Sequence, residues 1–138
     1  MQLLKRRSAR ATAYVLHRSL MEDNPEVSGF YTPIIGVVLS KSEAVEVGRR
    51  NLPAEVEWTE LPIESLEAGD SPSLLYLGVE VGPLPEGVLT DPTPRAAFTN
   101  LEAARRWGAN PGPSISRPHV IALPVGLLDW SGSSWTVM

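Results

Sequence analysis

Apolar residues in this chain come in short runs, separated by polar stretches containing proline and glycine, and the runs carry two different periods. Residues 13–19, 34–39, 56–61, 74–81, 95–98 and 120–123 are rich in Val, Ile, Leu and aromatics and are bounded by Gly, Pro, Asn and Asp, which predicts six strands. In Glu55-Val56-Glu57-Trp58-Thr59 the alternation is clean, so one face of that strand meets the core and the other meets water. Two segments break the strand pattern. Ser40-Lys41-Ser42-Glu43 and Thr99-Asn100-Leu101-Glu102 both read as capping boxes, with Ser40 and Thr99 as N-caps and a glutamate reaching back from N3. They predict a helix over residues 41–50 that stops before Pro53, and a second over 100–107 that stops at Gly108. Arg49, Arg50, Arg105 and Arg106 fall in the last turns, where cations oppose the helix dipole.

The resulting order is β-β-α-β twice over. Tyr14-Val15-Leu16 is echoed by Tyr76-Leu77-Gly78, the segment 39–44 by 98–103, and Leu61-Pro62-Ile63 by Leu123-Pro124-Val125, at offsets of 62, 59 and 62 residues. Similar segments in one order at nearly one offset indicate an internal repeat. The expected fold is a single α+β domain built from tandem β-β-α-β units at residues 13–67 and 74–129, with a basic arm at 1–10 and a tail at 130–138. Strands joined by short loops pair antiparallel, and the strand after each helix returns parallel to the one before it. Two small sheets, or one mixed sheet with both helices on a face, satisfy this order. At 138 residues, folding removes roughly two-thirds of the unfolded chain's surface from water, enough for a sizeable core.

Residues 13–66 resemble a group of small bacterial and phage-borne domains. The likeness rests on Tyr14-Val15-Leu16-His17, a polar loop, Ile34-Ile35-Gly36-Val37, and a Ser-x-x-Glu-Ala helix start from Ser40 to Ala44. The resemblance implies the β-β-α-β architecture and a mobile-element setting, and it implies no activity.

Composition removes several kinds of chemistry. The chain has no cysteine, which excludes disulfides, thiol nucleophiles and thiolate metal sites. Its two histidines, His17 and His119, lie in different units without His-x-x-Glu or His-x-x-x-His spacing, so no metal or other cofactor is expected. No apolar stretch is long enough to span a membrane. The basic start lacks an apolar segment of the secretory kind, so a cytoplasmic location is expected. Net charge is −4, unevenly placed: residues 1–21 hold five bases and no acid, whereas residues 22–80 hold twelve acids against Lys41, Arg49 and Arg50. An acidic middle repels a phosphate backbone, leaving the basic arm as the one segment suited to nucleic acid.

No constellation has the form of an active site. His17 ends a strand just before Glu22 and Asp23, a pairing that suits a general base, but no nucleophile stands in a Gly-x-Ser-x-Gly context. Glu55, Glu57 and Glu60 are candidate paired carboxylates, but Glu55 and Glu57, which share a strand face about 7 Å apart, both point to solvent, where nothing raises a pKa for acid catalysis. The Gly108–Pro113 stretch follows a helix instead of preceding one, so it does not cradle phosphate. Trp58 and Trp107 read as core residues. Trp130 and Trp135, in a polar Ser-Gly tail, have less reason to be buried, although Trp135 favours docking of the tail. The expected function is a non-enzymatic interaction or regulatory module of inhibitor or adaptor type that binds another protein. Its contact residues are Glu22, Asp23, Glu26, Phe30 and Tyr31 of the first loop, with Trp130 and Trp135 of the tail. The alternative is a small-ligand pocket between the two units.

Overall fold

The computed structural model describes residues 10–21, 30–31, 33–51, 55–67, 71–81, 92–115, 117–130 and 135–138. Glu22, Asp23, Glu26 and most of the basic arm lie outside the described residues. The chain is mixed α and β and mostly strand. Its elements are β1 (Arg10–Met21), β2 (Phe30–Tyr31), β3 (Ile34–Val38), α1 (Lys41–Arg50), β4 (Glu55–Glu67), β5 (Leu74–Glu80), β6 (Thr93–Phe98), α2 (Leu101–Ala109), β7 (Pro118–Pro124) and β8 (Thr136–Val137).

Among the described residues, eight strands join one sheet in the order β2-β1-β4-β6-β5-β7-β8, with β3 also on β1. The β1 register is shared by β2 (Met21↔Phe30, Leu20↔Tyr31) and β3 (His17↔Ile34), so β2 and β3 are two pieces of one hairpin arm. In the first half β1 lies between β3 and β4, antiparallel to both. In the second, β5 lies between β6 and β7, again antiparallel to both. The halves meet where β4 runs parallel to β6 at Ile63↔Ala97 and Glu64↔Phe98. The strands flanking each helix are thus parallel to one another but separated by the first strand of their half.

Period-two side chains divide the strands between two faces. Ala11, Ala13, Val15, Ile34, Val37, Ile63, Leu75, Leu77, Val79, Ala97, Ile121 and Leu123 form one apolar cluster. Because β3 and β7, near opposite ends of the sheet, both contribute to it, the sheet curls around this core. The outer face carries the helices in two separate clusters. α1 brings Ala44 and Val47 onto Leu16, Ile35 and Val38, and α2 brings Ala104 and Trp107 onto Phe98 and Val120. Among the described residues no polar or charged residue is buried.

Ser40 caps α1 as expected, its hydroxyl oxygen accepting from the Glu43 amide at 3.2 Å. The second cap differs. Asn100, not Thr99, is the N-cap of α2, its Oδ1 accepting from the Ala103 amide at 3.0 Å. That helix runs through Gly108 to Ala109, because the apolar face that seats Trp107 and Gly108 against the sheet outweighs the modest cost of a helical glycine.

Candidate functional site

Three places on the surface combine chemistry with shape. The first is the far end of the β1 hairpin. β2 sets Phe30 and Tyr31 opposite Met21 and Leu20, and among the described strands its only partner is β1. An edge strand offers a row of backbone donors and acceptors to an incoming chain. Two consecutive aromatics are therefore carried by a strand that pairs with β1 alone among the described strands, and they follow in sequence the acidic stretch that begins at Glu22.

The second is the seam between β3 and β7. After β7 the chain turns at Gly126, whose φ of 86° suits glycine, and the Leu127 amide donates to the Pro124 carbonyl at 3.4 Å. Residues 126–129 then run along β3 in the opposite direction. The Gly126 amide donates to the Val37 carbonyl at 2.9 Å and the Asp129 amide to the Ile35 carbonyl at 2.8 Å. Trp135 Nε1 donates to the next free carbonyl of the row, Ile34, at 2.7 Å. β8 returns to the other side of the seam, pairing Val137 with Ile121 and Thr136 with Ala122 on β7. This C-terminal strap joins the two ends of the curled sheet.

Trp130 and Trp135 are both held by contacts of this strap. Each is half-buried: Trp135 packs on the central core, and Trp130 packs on the outer cluster beneath α1. Arg18 reaches Trp130 twice, donating from Nη1 to its carbonyl at 3.1 Å and laying its guanidinium 5.5 Å from the ring centroid. The Ser-Gly neighbourhood of these indoles gave no hint of the distant backbone that receives them. Arg18 itself could have been suspected only from its place one residue after His17 on a strand.

The third is a hollow of about 370 Å³ between α1 and the strap, floored by Val38, Val47 and Leu128 and rimmed by Ser42, Glu43, Glu46 and Arg50. Glu46 also binds Arg49 at 2.7 Å and Arg50 at 3.3 Å, so these helix-end arginines have an intrahelical partner besides the dipole. Leu128 reaches the floor because Gly36 leaves room. A Cβ there would sit 2.6 Å from Leu128 Cδ2 and 2.9 Å from the Leu127 carbonyl oxygen.

His17 lies opposite Glu57 in the β1–β4 ladder, and its Nε2 is 3.2 Å from Thr59 Oγ1. Glu57 is exposed, as the alternation of β4 predicts; Glu60, on the same parity as Val56 and Trp58, is exposed as well, and so is His119 on β7. In the ladders His119 lies opposite Val79 of β5. Among the described residues, no group of three or more His, Asp or Glu converges as a metal site, and no helix is long and apolar enough to cross a membrane. No protein-family model matches the chain, and neither a curated protein nor a solved structure matches it.

Proposed function

We propose that this protein is a protein-interaction module of inhibitor or adaptor type, acting in the cytoplasm, whose two β-β-α-β halves descend from one unit and have diverged. The observation that carries the reading is the strand β2, which is last in the order of described strands and carries Phe30 and Tyr31 just after the acidic stretch of the sequence. The shared placement of the first strand between the other two in each half supports a common ancestry. A partner with a basic rim around an apolar cleft complements this tip. Glu22, Asp23 and Glu26 steer association, and the aromatics supply buried area. Trp130 and Trp135 act beside them, holding the neighbouring β3 edge in the shape the partner meets.

The test is binding by full-length variants to a partner captured from the source cell. Tyr31→Ala should weaken binding by about 2 kcal/mol, as expected at an interface centre. Glu22→Lys with Asp23→Lys should mainly slow association and flatten its salt dependence. His119→Ala should bind as the parent does. Normal binding by the tip variants would remove the reading. A second reading is favoured by one observation: the hollow beside α1 takes its walls from both the first half and the chain after β7, as a small-ligand site between halves would. Loss of a ligand on Val47→Trp, with tip variants unaffected, would select it.

A further inference from the structure

The seam between β3 and β7 is closed by residues 126–130 and 135–138, and more sparsely than the main ladders of the sheet. The β1–β4 and β5–β7 ladders are long, running over nine and seven residue pairs, with one register shift in the first between Arg10 and Thr12. The seam is held instead by isolated bonds spaced along β3: Gly126 to Val37, Asp129 to Ile35 and the Trp135 indole to Ile34. On the β7 side the contacts are the two β8 pairs and a bond from the Met138 amide to the Val120 carbonyl at 2.8 Å. The groups involved are only half out of water. Leu128, Trp130 and Trp135 are half-buried and Val137 is 64% exposed, whereas Leu75, Leu77 and Leu123 in the adjoining strands are wholly buried. Sparse backbone bonds and partial burial mark the low-stability end of a fold, where segments open without the rest.

We propose that residues 126–130 and 135–138 form a clasp that opens as one unit while the curled sheet stays folded, and that the uncovered seam accepts the same segment from a second copy of the chain. The seam has a specific recognition chemistry. It presents three carbonyl acceptors in a row, from Ile34, Ile35 and Val37, and a gap over Gly36 that admits one leucine-sized side chain. Beside these, the Arg18 guanidinium donates from Nη1 to the Trp130 carbonyl at 3.1 Å. An extended strand with a leucine two residues before a tryptophan, and a second indole beyond, meets all of these demands. The chain carries that sequence in Leu128, Trp130 and Trp135. The contacts in the closed monomer and in the exchanged pair are identical, which is the condition under which domain swapping is cheap. This self-association uses the seam and does not rest on the hairpin tip or its partner. It gives the two tail tryptophans an interface role toward a copy of the same protein.

The test begins with the unmodified full-length protein. In amide hydrogen exchange, the Gly126, Asp129 and Met138 amides and the Trp135 indole N–H should exchange at one common rate, at least about 10-fold faster than the Leu75 and Leu77 amides. Exchange of all of them at the rate of β5 would show that the strap opens only with global unfolding and would overturn the proposal. The second arm probes the seam directly with a fluorescein-labelled peptide of residues 124–138. Full-length Trp135→Ala, whose own strap is weakened and whose β3 edge is intact, should bind this peptide at least about 10-fold more tightly than the parent, the scale of one lost hydrogen-bonded anchor. Adding Gly36→Val should abolish that binding, because the new side chain fills the seat of Leu128. Absence of peptide binding to Trp135→Ala, or binding indifferent to Gly36→Val, would refute acceptance in trans. If circular dichroism shows Trp135→Ala unfolded, Leu128→Ala serves in its place, and the exchange measurement stands without either.

Discussion

The two halves share an order of elements and close their outer faces by different means. In the second half the helix does the work alone. Trp107 of α2 lies flat on β5, and a Cβ on Gly78 would come within 2.6 Å of its Cε3 and Cζ3 atoms. In the first half α1 brings only Ala44 and Val47 to full burial. The remaining surface over Leu16 and Ile35 is covered by Leu128 and Trp130, which arrive from beyond the end of the second half. Both halves therefore place a glycine under a large side chain, Gly78 under Trp107 and Gly36 under Leu128. The lid is local in one and comes from about ninety residues away in the other, by the numbering of Gly36 and Leu128. A half that borrows its cover depends on the far end of the chain, and one that supplies its own does not.

The largest test of that contrast is removal of the local lid. Trp107→Ala should lower stability by about 3 kcal/mol in urea denaturation, through lost burial and the void left on β5. Leu128→Ala should cost less, about 2 kcal/mol, because the half-buried strap can settle into the space. Equal losses would erase the distinction between the two lids. The glycines sharpen it. Gly78→Ala meets a rigid ring and should cost about 2 kcal/mol. Gly36→Ala first meets the movable end of Leu128, so about 1 kcal/mol is expected, with the Leu127 carbonyl limiting the relief. Combining Gly78→Ala with Trp107→Leu should cost less than the sum of the singles, since the two groups are in contact.

Charge pairs separate the halves again, on a smaller scale. Arg95 bridges β6 to β5 by binding Glu80 Oε1 from Nη2 at 2.7 Å and from Nε at 2.8 Å, and the Glu80 side chain is only 15% exposed. In the first half Glu46 and Arg49 make a pair of the same 2.7 Å length on one helix, with both side chains well exposed. Glu80→Gln should lower the melting midpoint by the equivalent of about 1 kcal/mol, and Glu46→Gln by a few tenths at most. Raised salt should widen the gap slightly, because the better buried pair is screened less than the exposed one.

What the sequence made legible follows the range of the interactions involved. The strands were readable because Val, Ile and aromatics alternate within a few residues, and α1 because Ser40 and Glu43 announce its start locally. The apolar core of β3 was readable in the same way. Nothing in Ile34-Ile35-Gly36-Val37-Val38 could show that Gly36 is a seat for Leu128, since the side chain it receives is distant in sequence. The packing of Trp130 is illegible for the same reason: its partners Arg18 and the outer cluster come from β1, β3 and α1. At the hairpin tip the acidic loop and its aromatics were picked from composition, and the structure adds the edge position of β2 without addressing Glu22, Asp23 or Glu26.

The smallest expected effect concerns the helix starts, where the halves look most alike in sequence. Ser40 and Thr99 occupy equivalent places in the two capping-box patterns, and that equivalence predicts equal losses on replacement by alanine. The geometry assigns the second cap one residue later. Asn100 has the extended backbone of an N-cap, with φ −118° and ψ 124°, and its side chain accepts from Ala103. Glu102 then sits at N2, out of register for a capping box on Thr99. An amide oxygen caps as well as a hydroxyl does, so the shift costs the helix little and leaves the threonine without the role its position suggests. Ser40→Ala and Asn100→Ala should each lower stability by about 1 kcal/mol, while Thr99→Ala should change it by less than about 0.5 kcal/mol. Thermal denaturation of the three single variants beside the parent decides the matter. A loss at Thr99 matching that at Ser40 would move the start of α2 back by one residue and restore the symmetry between the halves at this point.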